Sequence, residues 1–388
     1  MRGYKWIILL LAFSSFCLGV AEFIVSGILT DLARFYGVLD SDVGYLATLY
    51  ACGVVVGAPI VSVLISSWHY RAQLCFTLGV FCAANAVVFM SDSLLLALVA
   101  RFVSGLMHGL FFVIATIISL KVAPKPKRSM ALSLMASGLT LALVSGVPLG
   151  IFLAKHYGIL SPFAFIACVS CAVAVCALVI MPRLKGKQGS FKNLCTAFAY
   201  PTLLCGFAIT ALTCGSMFVV YIYLRVLLEN HGFSEDSITR VYLYFGLAAV
   251  VGNLFGGKLA DLKGSFFACG VMLCVQVGML MLMSFTHFSP ALVVANVIGF
   301  AFFGFAFIAP LKMLCAHLAH IFTPESKNDT IALNEGAFNV GIAFASLMGG
   351  LVMRYVSVDM NGICAAAFAL GALAILMLGV RGVYYHRG

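Results

Sequence analysis

Charge is scarce in this 388-residue chain: Asp, Glu, Lys and Arg together make up 9% of it, against 63% hydrophobic residues, and the mean hydropathy is +1.12. Soluble domains carry about a quarter charged residues. A water-soluble fold is therefore excluded, because no surface could cover so much apolar mass. The apolar runs also lack the roughly ten-residue alternation of a membrane β-barrel, which leaves helices to satisfy the backbone in hydrocarbon. Absent too are an HExxH pair, a metal-spaced Cys or His cluster, and a Ser, His and Asp set at plausible spacing, so a membrane-embedded enzyme has no residues to work with. No sizeable polar region interrupts the chain, which argues against a receptor or scaffold.

What is present is a succession of apolar runs of about twenty residues, each long enough at about 1.5 Å per residue to cross roughly 30 Å of hydrocarbon. We read spans at 6–29, 43–66, 72–91, 94–119, 130–153, 162–181, 199–225, 238–260, 266–287, 290–317, 328–352 and 361–381. The fold class expected is all-α, a membrane protein of twelve transmembrane helices. Most of the 14 cysteines fall inside these spans, where Cys acts as a small apolar residue. Cys168 and Cys171 form a CxxC in mid-span and are read as packing; no metal site and no cofactor are expected. The first run, behind Arg2 and Lys5, has features of a secretory signal, with small residues at Gly19 and Ala21. It continues to Leu29, however, and its loss would leave an odd helix count. It is read as a retained first helix.

Basic residues orient the chain. With a cytoplasmic N terminus, only Arg34, Lys155, Arg225, Arg240 and Arg354 of the 23 Lys and Arg lie outside, and Arg101 and Lys312 lie within spans. All the others are inside, as the positive-inside rule requires. The net charge of +10 thus belongs to a cytoplasmic membrane face, suited to anionic lipid headgroups, and implies no nucleic acid. The longest inner connection, from Arg183 to Lys192, divides six helices from six. We expect an N-terminal bundle over 1–182, a basic linker over 183–198 and a C-terminal bundle over 199–388.

Sliding the chain on itself by 195 residues places Val56-Gly57 over Val251-Gly252, Ser62 over Gly257 and Ser66 over Asp261. Two related halves of like orientation are implied, with a binding site between them as in parallel-repeat transporters.

A set of motifs stands in order along these helices. The first span reads Gly19-Val20-Ala21-Glu22-Phe23 and then Gly27-Ile28-Leu29; the fourth carries Arg101, Gly105, His108 and Gly109; the fifth has Gly138 and Gly146-Val147-Pro148-Leu149-Gly150. The connection after the eighth reads Gly257-Lys258-Leu259-Ala260-Asp261-Leu262-Lys263-Gly264, and the eleventh carries Asn339-Val340-Gly341-Ile342-Ala343 with Gly349-Gly350. Together they resemble the major facilitator superfamily, specifically its twelve-helix drug:proton antiporters and their bacterial sugar-efflux (arabinose-efflux permease) and purine-efflux relatives. The resemblance implies two pseudo-symmetric six-helix bundles, a monomer in the bacterial inner membrane with both termini cytoplasmic, and export of a small-molecule substrate in exchange for protons. The Gly146, Pro148 and Gly150 segment resembles the motif of exporters. A proton-independent facilitator or importer is the alternative.

Charges at bilayer depth cost about 2.5–3.5 kcal/mol each on insertion scales. Glu22 and Arg101 lie at matching distances from the outer ends of their spans, and the resemblance implies a central cavity between helices one, four, seven and ten where they would pair. Glu22 is the expected proton carrier, Arg101 its modulator, and His108, two turns along from Arg101, a relay or a packing residue. Lys312 and Glu335 again share a depth, nearer the inside, and are read as a compensating ion pair that closes the inner half, with substrate chemistry as the alternative. Phe112, Phe218, Tyr221, Tyr223, Phe303 and Phe307 are candidate aromatic walls for substrate. The gating set is Gly146, Pro148, Gly150, Gly257, Asp261 and Gly264, with Asp261 expected in a breakable latch. Its first-half counterpart has Ser66, Ser67 and His69 instead, which leaves a first-half latch in question.

Overall fold

The computed structural model describes residues 4–124, 128–186, 196–286, 289–325 and 327–380. Most of the basic linker, with Lys187 and Lys192, and the last eight residues lie outside that set. Among the described residues, twelve helices are long and apolar enough to cross a membrane: α1 (Tyr4–Gly27), α2 (Asp40–Leu64), α3 (Tyr70–Phe89), α4 (Leu94–Val122), α5 (Leu134–Tyr157), α6 (Ser161–Ile180), α7 (Pro201–Asn230), α8 (Glu235–Lys263), α9 (Ser265–Met283), α10 (Pro290–Phe322), α11 (Leu333–Tyr355) and α12 (Val358–Val380). No strand occurs among the described residues. The all-α, twelve-span expectation holds. Two compact units emerge from the contacts, one of Met1–Val38 with Tyr45–Ser190, the other of Leu39–Gly44 with Phe191–Gly388.

Within the first unit α2 lies directly on α4. A Cβ on Gly57 would strike the carbonyl of Leu106, and one on Gly53 that of Phe102. The second unit repeats the contact between α8 and α10, where a Cβ on Gly252 would meet the carbonyl of Phe302. Gly57 and Gly252 are the pair that the 195-residue shift superposes. A second seam is also duplicated: Gly138 of α5 sits on the carbonyl of Ala12 in α1, and Gly341 of α11 on that of Ala211 in α7. Lipid offers helices no hydrophobic drive toward each other, so close backbone approach at small residues supplies van der Waals contact instead.

Proline accompanies three of the local irregularities. A π-turn spans Gly57–Val61 around Pro59, and another, Ala142–Gly146, ends two residues before Pro148. In α10 the helix breaks between Ala306 and Ile308. Pro310 has no N–H, and its ring crowds the carbonyl of Ala306 four residues earlier. Such breaks are tolerated in membrane helices where neighbouring helices cover the freed carbonyls.

The glycine seams carry a prediction. Gly57→Val and Gly252→Val each force a helix away from its partner and should cost about 1–3 kcal/mol by overpacking. Gly79, beside which a Cβ meets open space, is the control. Fluorescence-detected size-exclusion melting curves should fall for both seam variants and stay unchanged for Gly79→Val.

Candidate functional site

Glu22, Arg101 and His108 gather where α1, α2 and α4 meet. Arg101 is fully buried. Its Nη1 donates to the carbonyl of Ala21 at 2.7 Å and its Nε to that of Leu46 at 3.3 Å, while the guanidinium carbon stands 4.0 Å from the centroid of the Tyr50 ring. Carbonyl dipoles and an aromatic face thus stand in for the water a guanidinium loses on burial. Glu22 follows Ala21 on α1 and interacts electrostatically with Arg101. No direct ion pair joins the two among the described residues. The expected pair is therefore a proximity without contact: Arg101 binds the backbone beside Glu22 and leaves the carboxyl out of a fork.

Tyr50 completes the cluster. Its hydroxyl lies 2.6 Å from Nδ1 of His108 and 3.3 Å from the carbonyl of Leu18, one turn before Glu22. When the tyrosine donates to Leu18, Nδ1 must carry the proton; when it donates to His108, Nδ1 must not. His108 is buried, and its ring lies 5.1 Å from that of Phe112, the one proposed wall aromatic that joins this cluster. Sequence reasoning missed Tyr50. Within an apolar run its hydroxyl gave no signal, although a tyrosine at bilayer depth requires a polar partner just as a charge does.

The α5 motif packs on the helix that carries Glu22. A Cβ on Gly146 would meet Val20 at 2.6 Å, one on Gly150 would strike Ile24, and Gly19 and Gly27 of α1 face Ala142 and Val147 in return. Pro148 enters the helix just after the π-turn.

In the second unit, Lys312 and Glu335 come together, Nζ to Oε1 at 2.8 Å, bridging α10 and α11. About half of each side chain is open, at 53% and 48%. A half-open pair does not seal an inner half. Next to it, Thr210 of α7 donates to Asn334 Oδ1 at 2.7 Å and ties α11 to α7.

Other expectations need correction. Phe218, Tyr221, Tyr223 and Phe307 are each at most 3% exposed, so they pack between helices and do not form an open wall. Tyr221 lies against Phe245 and Tyr242 of α8, and the Tyr223 hydroxyl donates to the carbonyl of Ser346 at 2.7 Å. Phe303 is half-buried beside Phe302. Asp261 is exposed and makes no ion pair among the described residues, so no latch is formed there. Gly257 faces Ala309 with room for a methyl, while Gly264, at φ 86°, turns the chain from α8 into α9 as an L side chain could not without strain. In the first unit Gln73 takes over the closing role: its amide donates to the carbonyls of Trp68 at 2.8 Å and Ser66 at 3.3 Å.

Two repeat-related units of membrane helices, with charged clusters at bilayer depth, define a polytopic carrier. The profile of the Major Facilitator Superfamily matches residues 11–316. An uncharacterized MFS-type transporter of Bacillus subtilis (strain 168), YtbD, is 32% identical over 348 residues, covering 89% of this chain and 88% of YtbD. Two crystal structures of a bacterial homolog to the human lysosomal transporter Spinster, both inward-facing, one unoccupied and one occupied, superpose with a TM-score of 0.82 at 14% and 13% identity. They cover 99% and 98% of this chain and 98% and 97% of their own, a likeness of fold. The chain belongs to the Major Facilitator Superfamily, and it is accordingly a secondary transporter and not an enzyme.

The Tyr50–His108 contact is measurable. Tyr50→Phe should lower stability by about 1–3 kcal/mol, since it strands a buried ring nitrogen. Adding His108→Leu removes that stranded group. Melting temperatures of the purified variants should then be less than additive. Additive losses would show the two side chains to be independent.

Proposed function

We propose that this transporter exports a small molecule in exchange for protons, with Glu22 as the proton carrier. The carrying observation is the separation of roles around Arg101. The guanidinium is held by the carbonyls of Ala21 and Leu46 and by the Tyr50 ring, so the Glu22 carboxyl is near a positive charge yet not locked to it. A carboxyl so placed can exist with or without its proton while Arg101 stays charged and in position. A carrier must also sense movement. Glu22 sits on α1, whose face from Ala12 to Gly27 is packed on α5 from Gly138 to Ile151, the π-turn included, so a shift of α5 is felt along the helix that bears the acid.

Export as the direction is supported by the resemblance of the Gly146 to Gly150 segment to the exporter motif. The distribution of basic residues supports an inner-membrane protein with both termini cytoplasmic, among anionic lipids, and the family resemblance supports a monomer. Moving one charge through 100 mV is worth about 2.3 kcal/mol, enough to maintain more than a tenfold substrate gradient.

Everted membrane vesicles containing the protein, loaded with a pH-sensitive acridine dye and energised by respiration, test this reading. A panel of lipophilic cations, sugars, nucleosides and amino acids is added in turn. For a transported compound the wild type should release protons and Glu22→Gln should lose at least about 90% of that release, a rate ratio worth about 1.4 kcal/mol. Substrate movement that is indifferent to the pH gradient and to Glu22→Gln would instead identify a facilitator.

A further inference from the structure

Lys312 and Glu335 form a charged pair deep in the second unit that the proton-coupling cluster does not use. Lys312 precedes the end of α10 at Phe322 by about 15 Å of helix, and Glu335 follows the helix start at Lys327 by about 12 Å, at roughly 1.5 Å per residue. Both groups are therefore about two to three turns inside their helices, and yet each side chain is about half open. On α11 the opening does not face the way the exposed apolar residues do. On α11 the exposed apolar residues Val340, Phe344 and Leu351 lie about 140–180° around the helix from Glu335, at about 100° per residue. The bond from Thr210 to Asn334 fixes that rotation, holding Asn334 inward against α7 and turning its neighbour Glu335 onto the open face. A charge within a membrane-crossing helix, open on a face other than its apolar one, is solvated by water or by a ligand.

We infer that this pair is a recognition site for a zwitterion carrying an ammonium and a carboxylate on neighbouring atoms, as in an α-amino acid. The inference rests on the transporter reading and not on its proton coupling. Charge balance selects the ligand. An anion drawn to Lys312 displaces Glu335 and leaves it uncompensated at bilayer depth, and a cation drawn to Glu335 does the same to Lys312. A ligand bearing both charges sets its carboxylate beside Nζ and its ammonium beside the Glu335 carboxylate. The existing 2.8 Å pair then becomes one side of a square of alternating charges, and nothing is left unpaired. Asn339, one turn along, donates its amide to the backbone carbonyl of Glu335 at 3.1 Å, and its side-chain oxygen has no partner among the described residues, an acceptor suited to the same ammonium. Phe338, on the adjoining strip of α11 and edge-on to Phe218 at 6.1 Å, offers an apolar surface to the ligand's side chain. An aromatic or large apolar amino acid fits that combination.

The test is equilibrium binding of tritiated L-phenylalanine to the full-length protein in nanodiscs, with no gradient, so that its outcome is independent of the vesicle experiment. Competition with unlabelled L-phenylalanine, 3-phenylpropionate (carboxylate only) and 2-phenylethylamine (ammonium only) separates the charges. Saturable binding is expected, with the zwitterion competing at least tenfold better than either analogue. Lys312→Met and Glu335→Gln should each weaken binding at least tenfold. The charge-swapped double variant, Lys312→Glu with Glu335→Lys, keeps a pair and should recover binding relative to both single variants, which guards against a loss caused only by misfolding. No saturable binding, equal competition by one of the analogues, single variants that bind like the wild type, or a monodisperse double variant that recovers nothing would each overturn the inference. Loss of gradient-driven export with binding and selectivity intact would count against the coupling reading alone.

Discussion

Contact between helix backbones, at positions where no side chain intervenes, is the interaction on which this architecture depends. Four seams carry it: α2 on α4 and α5 on α1 in the first unit, α8 on α10 and α11 on α7 in the second. Hydrocarbon does not push helices together, so the attraction must come from atoms brought within van der Waals range over a long interface. Once α1 is drawn onto α5 and α2 onto α4, Arg101 has the carbonyls of Ala21 and Leu46 within reach, and Tyr50 meets both the guanidinium and His108. The polar cluster follows from the apolar packing.

The same duplicated scaffold holds different chemistry in its two units. In the first, a cation is solvated by the protein backbone and an acid stands beside it uncommitted. In the second, cation and acid are committed to one another and open on one side. Duplication fixed where helices touch and left free which side chains project from them, in keeping with the general separation of fold from function.

Much of this architecture is legible in the amino-acid sequence. The twelve spans follow from length and hydropathy, because a membrane helix advertises itself over about twenty residues. The repeat is legible at Gly57 and Gly252 because a residue that touches a backbone tolerates no substitute. Lys312 and Glu335 are matched by depth alone, since two charges in hydrocarbon have strong reason to meet. What escapes such reading depends on rotation about a helix axis. Phe218, Tyr221, Tyr223 and Phe307 stand in runs apolar on every side, where nothing marks which face is inward, and packing buries all four. Tyr50 is overlooked for the same reason, and Arg101 is paired with Glu22 because backbone carbonyls, its actual partners, are present at every position and leave no trace in a sequence. The half-open state of the Lys312 pair likewise turns on the Thr210 to Asn334 bond, which joins residues 124 positions apart.

Gln73 gives the two repeat-related loops unlike characters. In the first unit the chain between α2 and α3 is held by a neutral amide on the carbonyls of Ser66 and Trp68, and the N–H of Tyr70 is tied to the carbonyl of Leu184 at 2.9 Å. Such bonds involve no net charge, so mobile ions do not screen them. The counterpart after α8 presents Asp261 in the open, within a run that also contains Lys258 and Lys263. Ionic strength and the headgroup composition of the surrounding leaflet therefore act directly on Asp261 and its lysine neighbours, whereas the amide bonds of Gln73 hold their loop whatever the ion concentration.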